Sequence, residues 1–168
     1  MILETQRLYV REFSLSDAAD FHSLNGDPEI MKYIRQAKTI EESGAFLREV
    51  IEGYTSLRGL GRWAIIEKQE RQVIGTFSLL PLEHTNEIHI GYALLKKHWG
   101  RGYASEIVKA GLLYAYSNLK LTSIVAVTHP ENLFSRKILL DNHFKYVGVY
   151  KNDASEESLY RHHHLKSL

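Results

Sequence analysis

Residues 99–104, Trp99-Gly100-Arg101-Gly102-Tyr103-Ala104, stand between a strand-like run at 87–95 and a helical run at 105–118. A loop of small residues that opens directly onto a helix exposes several backbone N–H groups pointing one way. Those donors and the positive end of the helix dipole make an anion site. Gly100 and Gly102 can take backbone angles that a side chain forbids, and they let a bulky phosphate come close. Arg101, with Lys96, Lys97 and His98 before it, adds positive charge. The pattern predicts a pyrophosphate cradle, with Ser105 able to add a phosphate hydrogen bond.

Two common phosphate motifs do not fit. A P-loop needs Gly-Lys-Ser/Thr after its glycines, and none follows here. A dinucleotide fingerprint needs a third small residue three places beyond the second glycine, early in a βαβ unit. Only Ser105 stands there, and the loop comes late in the chain. Glycines also serve plain tight turns.

The elements that must position this loop are legible from periodicity and caps. Residues 6–12 alternate enough for a first strand. Ser14 with Asp17 resembles a capping box and starts a helix to about Leu24. Asp27-Pro28-Glu29 is a second start signal, an N-cap acid followed by proline at the first helical position. That short helix ends near Ile34. Thr39 with Glu42 opens a longer helix carrying Ala45, Phe46, Val50 and Ile51, which fades over residues 53–59. Residues 63–68, 73–80 and 87–95 read as three strands, with separators short enough for antiparallel neighbours. The helix after the glycine loop sets Ile107, Val108, Gly111, Leu112 and Ala115 on one face. Residues 122–128 are β-branched and read as a buried strand. Residues 132–141 read as a helix with Phe134, Ile138 and Leu139 inward. Residues 144–150 and 158–165 form a final hairpin.

The expected fold class is α/β in the broad sense (α+β), a mixed, mostly antiparallel sheet of about seven strands flanked by helices. The strand–helix–strand unit at 87–128 makes its two strands parallel. If they splay at their C-terminal ends, an elongated ligand enters the gap with its polar head on the following loop.

Composition sets the outer limits. The 168 residues fit a single domain, 1–168, with a real core. The chain is 44% hydrophobic and 24% charged, ordinary for a globular protein. A net charge of +1 gives no bulk attraction to nucleic acid or membrane, and neither is an expected partner. No apolar run approaches the ~20 residues of a membrane span. The first residues lack the segments of a signal peptide, so a cytoplasmic location is expected. With no cysteine, disulfides, thiolate metal sites and covalent routes through an enzyme thiol are all ruled out.

Ile90-Gly91-Tyr92-Ala93-Leu94 followed by residues 99–106 resembles the acyl-CoA motif of the GCN5-related N-acetyltransferases, the GNAT superfamily. The nearest branch is the Rim type, which acetylates ribosomal-protein N-termini. The family loop is Gln/Arg-x-x-Gly-x-Gly/Ala; Trp99 stands at its first position, a departure typical of that branch, and Gly102 and Ala104 match. Asn132-Leu133-Phe134-Ser135 and Asn142-His143-Phe144 resemble the family's Asn-x-x-Ser and Lys/Asn-x-Gly-Phe segments, with His143 replacing glycine. The opening Leu3-Glu4-Thr5-Gln6-Arg7-Leu8, then Arg11, is also similar to this branch.

The resemblance implies acetyl-CoA as donor and a primary amine as acceptor, such as a ribosomal-protein or other peptide N-terminus or a small-molecule amine. It implies that backbone groups at Tyr92, Ala93 and Leu94 pair with the pantetheine arm and supply an oxyanion N–H. It gives the diphosphate to the N–H groups of Gly100, Arg101, Gly102, Tyr103, Ala104 and Ser105, with Trp99 also in the cofactor-binding loop. Asn132 can hydrogen-bond the pantetheine while capping its helix. Ser135 can hydrogen-bond the sulfur and protonate the leaving thiolate. Many relatives carry a glutamate just before Ile-Gly-Tyr; here that position is His89, with Glu87 two residues earlier on the same face. His89, with an intrinsic pKa near 6.5, suits proton transfer from an ammonium.

His162-His163-His164 alternates on a strand, and two histidines without a carboxylate make a poor metal site. No metal is expected, and the run reads as a solvated or substrate-side strand. Trp63 reads as core, and the Tyr54 region as able to face the acceptor. The aromatic-rich C-terminal hairpin offers a surface for pairing two copies. Two other readings stay open: a CoA-binding or sensing module without turnover, and a nucleotide-binding enzyme using the same loop.

Overall fold

The structure, a computed structural model, describes residues 1–152 and 155–164. Its sheet contains β1 (Leu3–Glu4), β2 (Leu8–Arg11), β3 (Gly61–Glu67), β4 (Gln72–Pro81), β5 (Ile88–Leu94), β6 (Ser123–Thr128), β7 (Lys145–Lys151) and β8 (Glu156–His163). The order across the sheet is β1-β2-β3-β4-β5-β6-β8-β7. Every neighbouring pair is antiparallel except β5 with β6. Helices α1 (Ala18–Asn25), α2 (Pro28–Met31) and α3 (Ile40–Gly53) follow β2, α4 (Tyr103–Ser117) joins β5 to β6, and α5 (Leu133–Asp141) joins β6 to β7.

The expected mixed sheet is present, with one strand more than the rough count of seven. The extra strand is β1, whose two residues pair with Val10 and Tyr9 and are too few for an alternating pattern to show. The last strand, β8, lies between β6 and β7 rather than at the edge. The expected end of that strand at Leu165 lies outside the described residues.

Caps set the helix starts. Thr39 and Glu42 exchange hydrogen bonds of 3.2 and 2.8 Å, closing the capping box of α3. Asp27 Oδ1 accepts from the N–H groups of Glu29 and Ile30 at 2.8 and 3.2 Å. Helix α2 ends at Met31, short of Ile34, and the chain continues in a tighter turn in which Ile34 N–H donates to the Met31 carbonyl three residues back at 2.8 Å.

Alternation along β5 divides its side chains between two layers. Ile90 and Leu94 pack with Ile107, Val108 and Leu112 of α4. Ala93 packs on the opposite face with Leu24, Ile30 and Met31 from α1 and α2. Phe21 and Leu47 continue that second layer against Ala64 and Ile66 of β3. Helix α5 shares the α4 face through Leu139 and Ile138. Phe134, expected inward, is instead 85% exposed. The inward stripe runs from Ser135, Ile138 and Leu139 of α5 to Asn142 at its C-cap, spaced i, i+3, i+4, i+7, which leaves Phe134 about one helical step off the stripe. The helix thus turns two polar side chains toward the sheet. Among the described residues no helix is long and apolar enough to cross a membrane.

Candidate active site

Strands β5 and β6 share a single residue pair, His89 opposite Val125, and then separate. Leu95 N–H donates to the Ile74 carbonyl on β4 at 2.9 Å. Alternation from that bond turns the N–H and C=O groups of Tyr92 and Leu94 away from β4, into the gap. The Leu94 carbonyl accepts the Trp99 indole N–H at 2.8 Å, so the loop is tied to the end of the strand. Tyr92 N–H therefore lines a cleft between two parallel strands.

The chain passes through a short 3-10 turn, Lys96–His98, before the glycine loop. Trp99 N–H donates to the Lys96 carbonyl at 3.0 Å, so its main-chain donor is already used. Gly100 and Gly102 hold φ of 72° and 79°, the left-handed region where glycine alone is unstrained. Gly102 caps α4 without any side-chain partner, and the helix begins at Tyr103, two residues earlier than the sequence pattern placed it. The N–H groups of Tyr103, Ala104 and Ser105 precede the first intrahelical bond, which Glu106 N–H makes to the Gly102 carbonyl at 3.1 Å. The helix terminus is thus open, with exposed Arg101 beside it, a geometry that suits an anion.

An acid at this helix start would repel an anion, and Glu106 is neutralised by the N-terminal segment. Thr5 Oγ1 donates to Glu106 Oε1 at 2.5 Å, and Arg7 N–H donates to the same oxygen at 3.1 Å. Arg7 Nε and Nη2 reach Oε2 at 2.7 and 2.6 Å. Arg7 Nη1 also donates to the Arg101 carbonyl at 2.9 Å, and its guanidinium lies 4.4 Å from the Tyr103 ring centre. Burial alone would raise the Glu106 pKa; the hydrogen bonds from Thr5 and Arg7 more than offset it and hold the carboxyl below its ordinary range. A second brace comes from α5. Asn142 Nδ2 donates to Ser105 Oγ at 3.0 Å and to the Ile138 carbonyl at 2.7 Å. The tight exit of α5 forms even though His143 stands where glycine was expected, with φ of 64°.

The residues expected to do chemistry fall into two groups on opposite faces of the sheet. On the α4–α5 side, the Tyr92 hydroxyl lies 3.2 Å from Ser135 Oγ. Asn132 Oδ1 accepts from Ser135 N–H at 3.1 Å, which fixes the start of α5. Burial pushes the Tyr92 phenol up to about 12, with the Ser135 hydrogen bond acting the other way, so both hydroxyls keep their protons at neutral pH. On the α1–α3 side, His89 is half-buried at the root of the gap. Burial, and then the Arg62 charge, push it down to about 4, far below the free value. Glu87 precedes β5 and is ion-paired with Arg161 of β8 at 2.7 Å.

Other expectations resolve differently. Tyr116 Oη lies 2.7 Å from His162 Nδ1, and the His162 and His164 rings pack on Tyr116 with centroids 5.6 and 4.7 Å away. His162 therefore packs onto α4 rather than lining a solvated or substrate-side face. Trp63 is 1% exposed and stacked on Phe77, as core. The Tyr54 hydroxyl accepts from Phe13 N–H at 3.0 Å and donates to the Arg62 carbonyl at 2.5 Å. The sequence reading did not single out Arg62 itself. Its signal was a charge at an inward position, in alternation with Ala64 and Ile66.

Residues 7–145 match the family described as acetyltransferase (GNAT) domain. The chain belongs to the GNAT acetyltransferase family. An uncharacterized N-acetyltransferase of Bacillus subtilis, YoaA, is 31% identical over 154 residues, covering 89% of this chain and 86% of that protein. A GNAT-family acetyltransferase structure from Bacillus anthracis superimposes with a TM-score of 0.83 at 24% identity, covering 96% of this chain and 97% of the other. The ribosomal L7/L12 α-N-protein acetyltransferase RimL, in complex with coenzyme A, gives a TM-score of 0.79 at 19% identity over 95% of both chains. These structures share the GNAT fold, including a Rim-type example.

Proposed function

We propose that this GNAT protein transfers an acetyl group from acetyl-CoA to a primary amine by direct attack in a ternary complex. The observation that carries this reading is the single β5–β6 residue pair, beyond which the strands part and lead straight into the uncapped start of α4. A pantetheine arm fits beside an unpaired strand edge, and a diphosphate fits on free helix N–H groups. The coenzyme A complex of RimL, on the same fold, supports the donor.

In the reaction the amine nitrogen bonds to the thioester carbonyl carbon, the C–S bond breaks, and the amine proton is released as the sulfur gains one. Tyr92 N–H, aimed into the gap, donates to the developing oxyanion. Ser135, coupled to the Tyr92 hydroxyl, hydrogen-bonds the sulfur and supplies its proton. Asn132 keeps its side-chain N–H₂ for the pantetheine while its oxygen caps α5. On the opposite face, His89 accepts a hydrogen bond from the amine. With a pKa of about 4 it is a weak base, so orientation carries more of its contribution than proton affinity. Glu87, already paired with Arg161, has the weaker claim to the same task.

The test is thiol release from acetyl-CoA over a panel of amines. Gly102→Val should raise the KM for acetyl-CoA by about tenfold or more, because a β-branched residue is strained at positive φ. Ser135→Ala should lower kcat by about tenfold with the acetyl-CoA KM unchanged. His89→Gln, which keeps a hydrogen-bond acceptor, should lower kcat less than His89→Ala. Tight coenzyme A binding with no release from any amine would replace this reading with a sensing module.

A further inference from the structure

Six arginines are half-buried: Arg7, Arg11, Arg35, Arg62, Arg136 and Arg161. Four of them have acceptors: Glu106 for Arg7, Asp17 for Arg11, the Tyr160 hydroxyl and the Pro130 main-chain carbonyl for Arg136, and Glu87 for Arg161. Arg35 and Arg62 have neither an ion pair nor a side-chain hydrogen bond among the described residues. Their guanidinium carbons lie 5.1 and 5.6 Å from the Phe46 ring centre, and Lys38 Nζ lies 5.3 Å from the same centre. Three cations around one ring repel each other, and the ring face offsets only a small part of that. Burial, and then the Arg35 charge, push Arg62 down to about 10.

The cluster stands on the face from which His89 meets the acceptor. Arg62 is opposite Ser78 on β4, which is opposite Gly91 on β5, one alternation beyond His89. This row carries no bulky side chain between Arg62 and the gap, and the buried Ser78 hydroxyl has no partner among the described residues. Two half-buried guanidinium groups beside one ring, with no counter-ion among the described residues, suit an anion, since each can offer a fork of N–H donors.

We propose that the acceptor is an amine that also carries a carboxylate, bound by Arg35 and Arg62 on the α1–α3 face. This rests on the acetyl-transfer reading above and specifies its substrate class. The acceptor carboxylate supplies the missing counter-charge. The same positive field makes an ammonium lose its proton more readily, which suits a weak acceptor such as His89. Polyamines, which bring only positive charge, are disfavoured. The carboxylate can belong to a free amino acid or to an acidic side chain near a peptide N-terminus.

The experiment measures acetylation of matched acceptors. One arm compares free amino acids with their amides. The other compares Ala-Asp-amide with Ala-Asn-amide; spermidine serves as the carboxylate-free control. The carboxylate member of at least one arm should be preferred by about tenfold or more in kcat/KM, and the arm that responds identifies the source. Arg62→Gln and Arg35→Gln should each reduce that preference to about twofold or less, through the acceptor KM, with the acetyl-CoA KM unchanged. Arg62→Lys should restore part of it. If Arg62→Gln does not fold, Arg35→Gln carries the test alone. Equal use of both members of each pair, or better use of spermidine, overturns the carboxylate inference and leaves acetyl transfer standing. No thiol release with any acceptor overturns acetyl transfer and this inference together.

Discussion

His143 sits at the exit of α5 with a left-handed backbone. The helix still closes there, because His143 and Phe144 N–H bond back to the Leu140 and Leu139 carbonyls at 3.0 Å each. The side chain is exposed, so it brings the steric cost of positive φ and little packing. His143→Gly should therefore stabilise the protein by about 0.5–1 kcal/mol, after allowing for the greater freedom of glycine in the unfolded chain. Thermal unfolding should show a higher Tm; an unchanged or lower one would mean that the imidazole makes a stabilising contact. At this scale much of the site could be read in advance. The loop glycines and Asn132 as cap follow from residue type and spacing, whereas the part proposed for Ser135 comes from the family resemblance. His89 was legible as a candidate, but its proton affinity was not, because burial and Arg62 set it and both depend on the folded chain.

At the scale of elements, the start of α4 is held by segments far away in sequence. Arg7 and Thr5 neutralise Glu106, and Asn142 positions Ser105. Replacing Arg7 with Met removes the guanidinium bonds to Glu106 and Arg101 while keeping an apolar stem over Tyr103. The pair is partly exposed, so the stability loss should be only about 1 kcal/mol. Coenzyme A affinity should fall several-fold more than that small loss predicts, because an unneutralised Glu106 would stand at the helix start proposed to hold the diphosphate. Calorimetry on folded Arg7→Met checks this; unchanged affinity would show that the brace is purely structural. Capping boxes made the helix starts readable, since each depends on neighbours three residues apart. Phe134 misled because an apolar residue early in α5 suits an inward stripe, whereas tertiary contact chose the stripe that includes Ser135 and Asn142.

For the whole molecule, His89, His98 and His162 are all held below the ordinary imidazole range, chiefly by burial. The folded state keeps them neutral, whereas in the unfolded chain they take up protons below about pH 6.5. Their stabilising contribution is thus present above about pH 6.5 and is lost as pH falls toward the folded values, about 4 for His89. Asp17 and Glu106, raised by burial but held low on balance by hydrogen bonds from Arg11 and Ser14 and from Thr5 and Arg7, then lose their contribution at still lower pH. The urea midpoint should decline through this window. His98→Leu should flatten the decline, by at most about 1.4 kcal/mol per pH unit. His98 is 3% exposed and neither ring nitrogen has a partner among the described residues, so it is a direct probe. Parallel curves for the two proteins would show that His98 titrates alike in both states.

The sequence by itself determined the local chemistry: a glycine loop opening onto a helix, capped helix starts, alternating strands, and the two motifs that mark the GNAT family. Such features depend on neighbours a few residues apart, and their physics is complete within a short window. Only the tertiary structure decided which groups meet across the sheet: Tyr92 with Ser135, Arg7 with Glu106, Glu87 with Arg161, and the unpaired Arg35 and Arg62 beside Phe46. It also decided where β5 leaves β6 and how strongly His89 holds a proton. Strand register, burial and electrostatic field are sums over partners distant in the chain, and no local pattern records them.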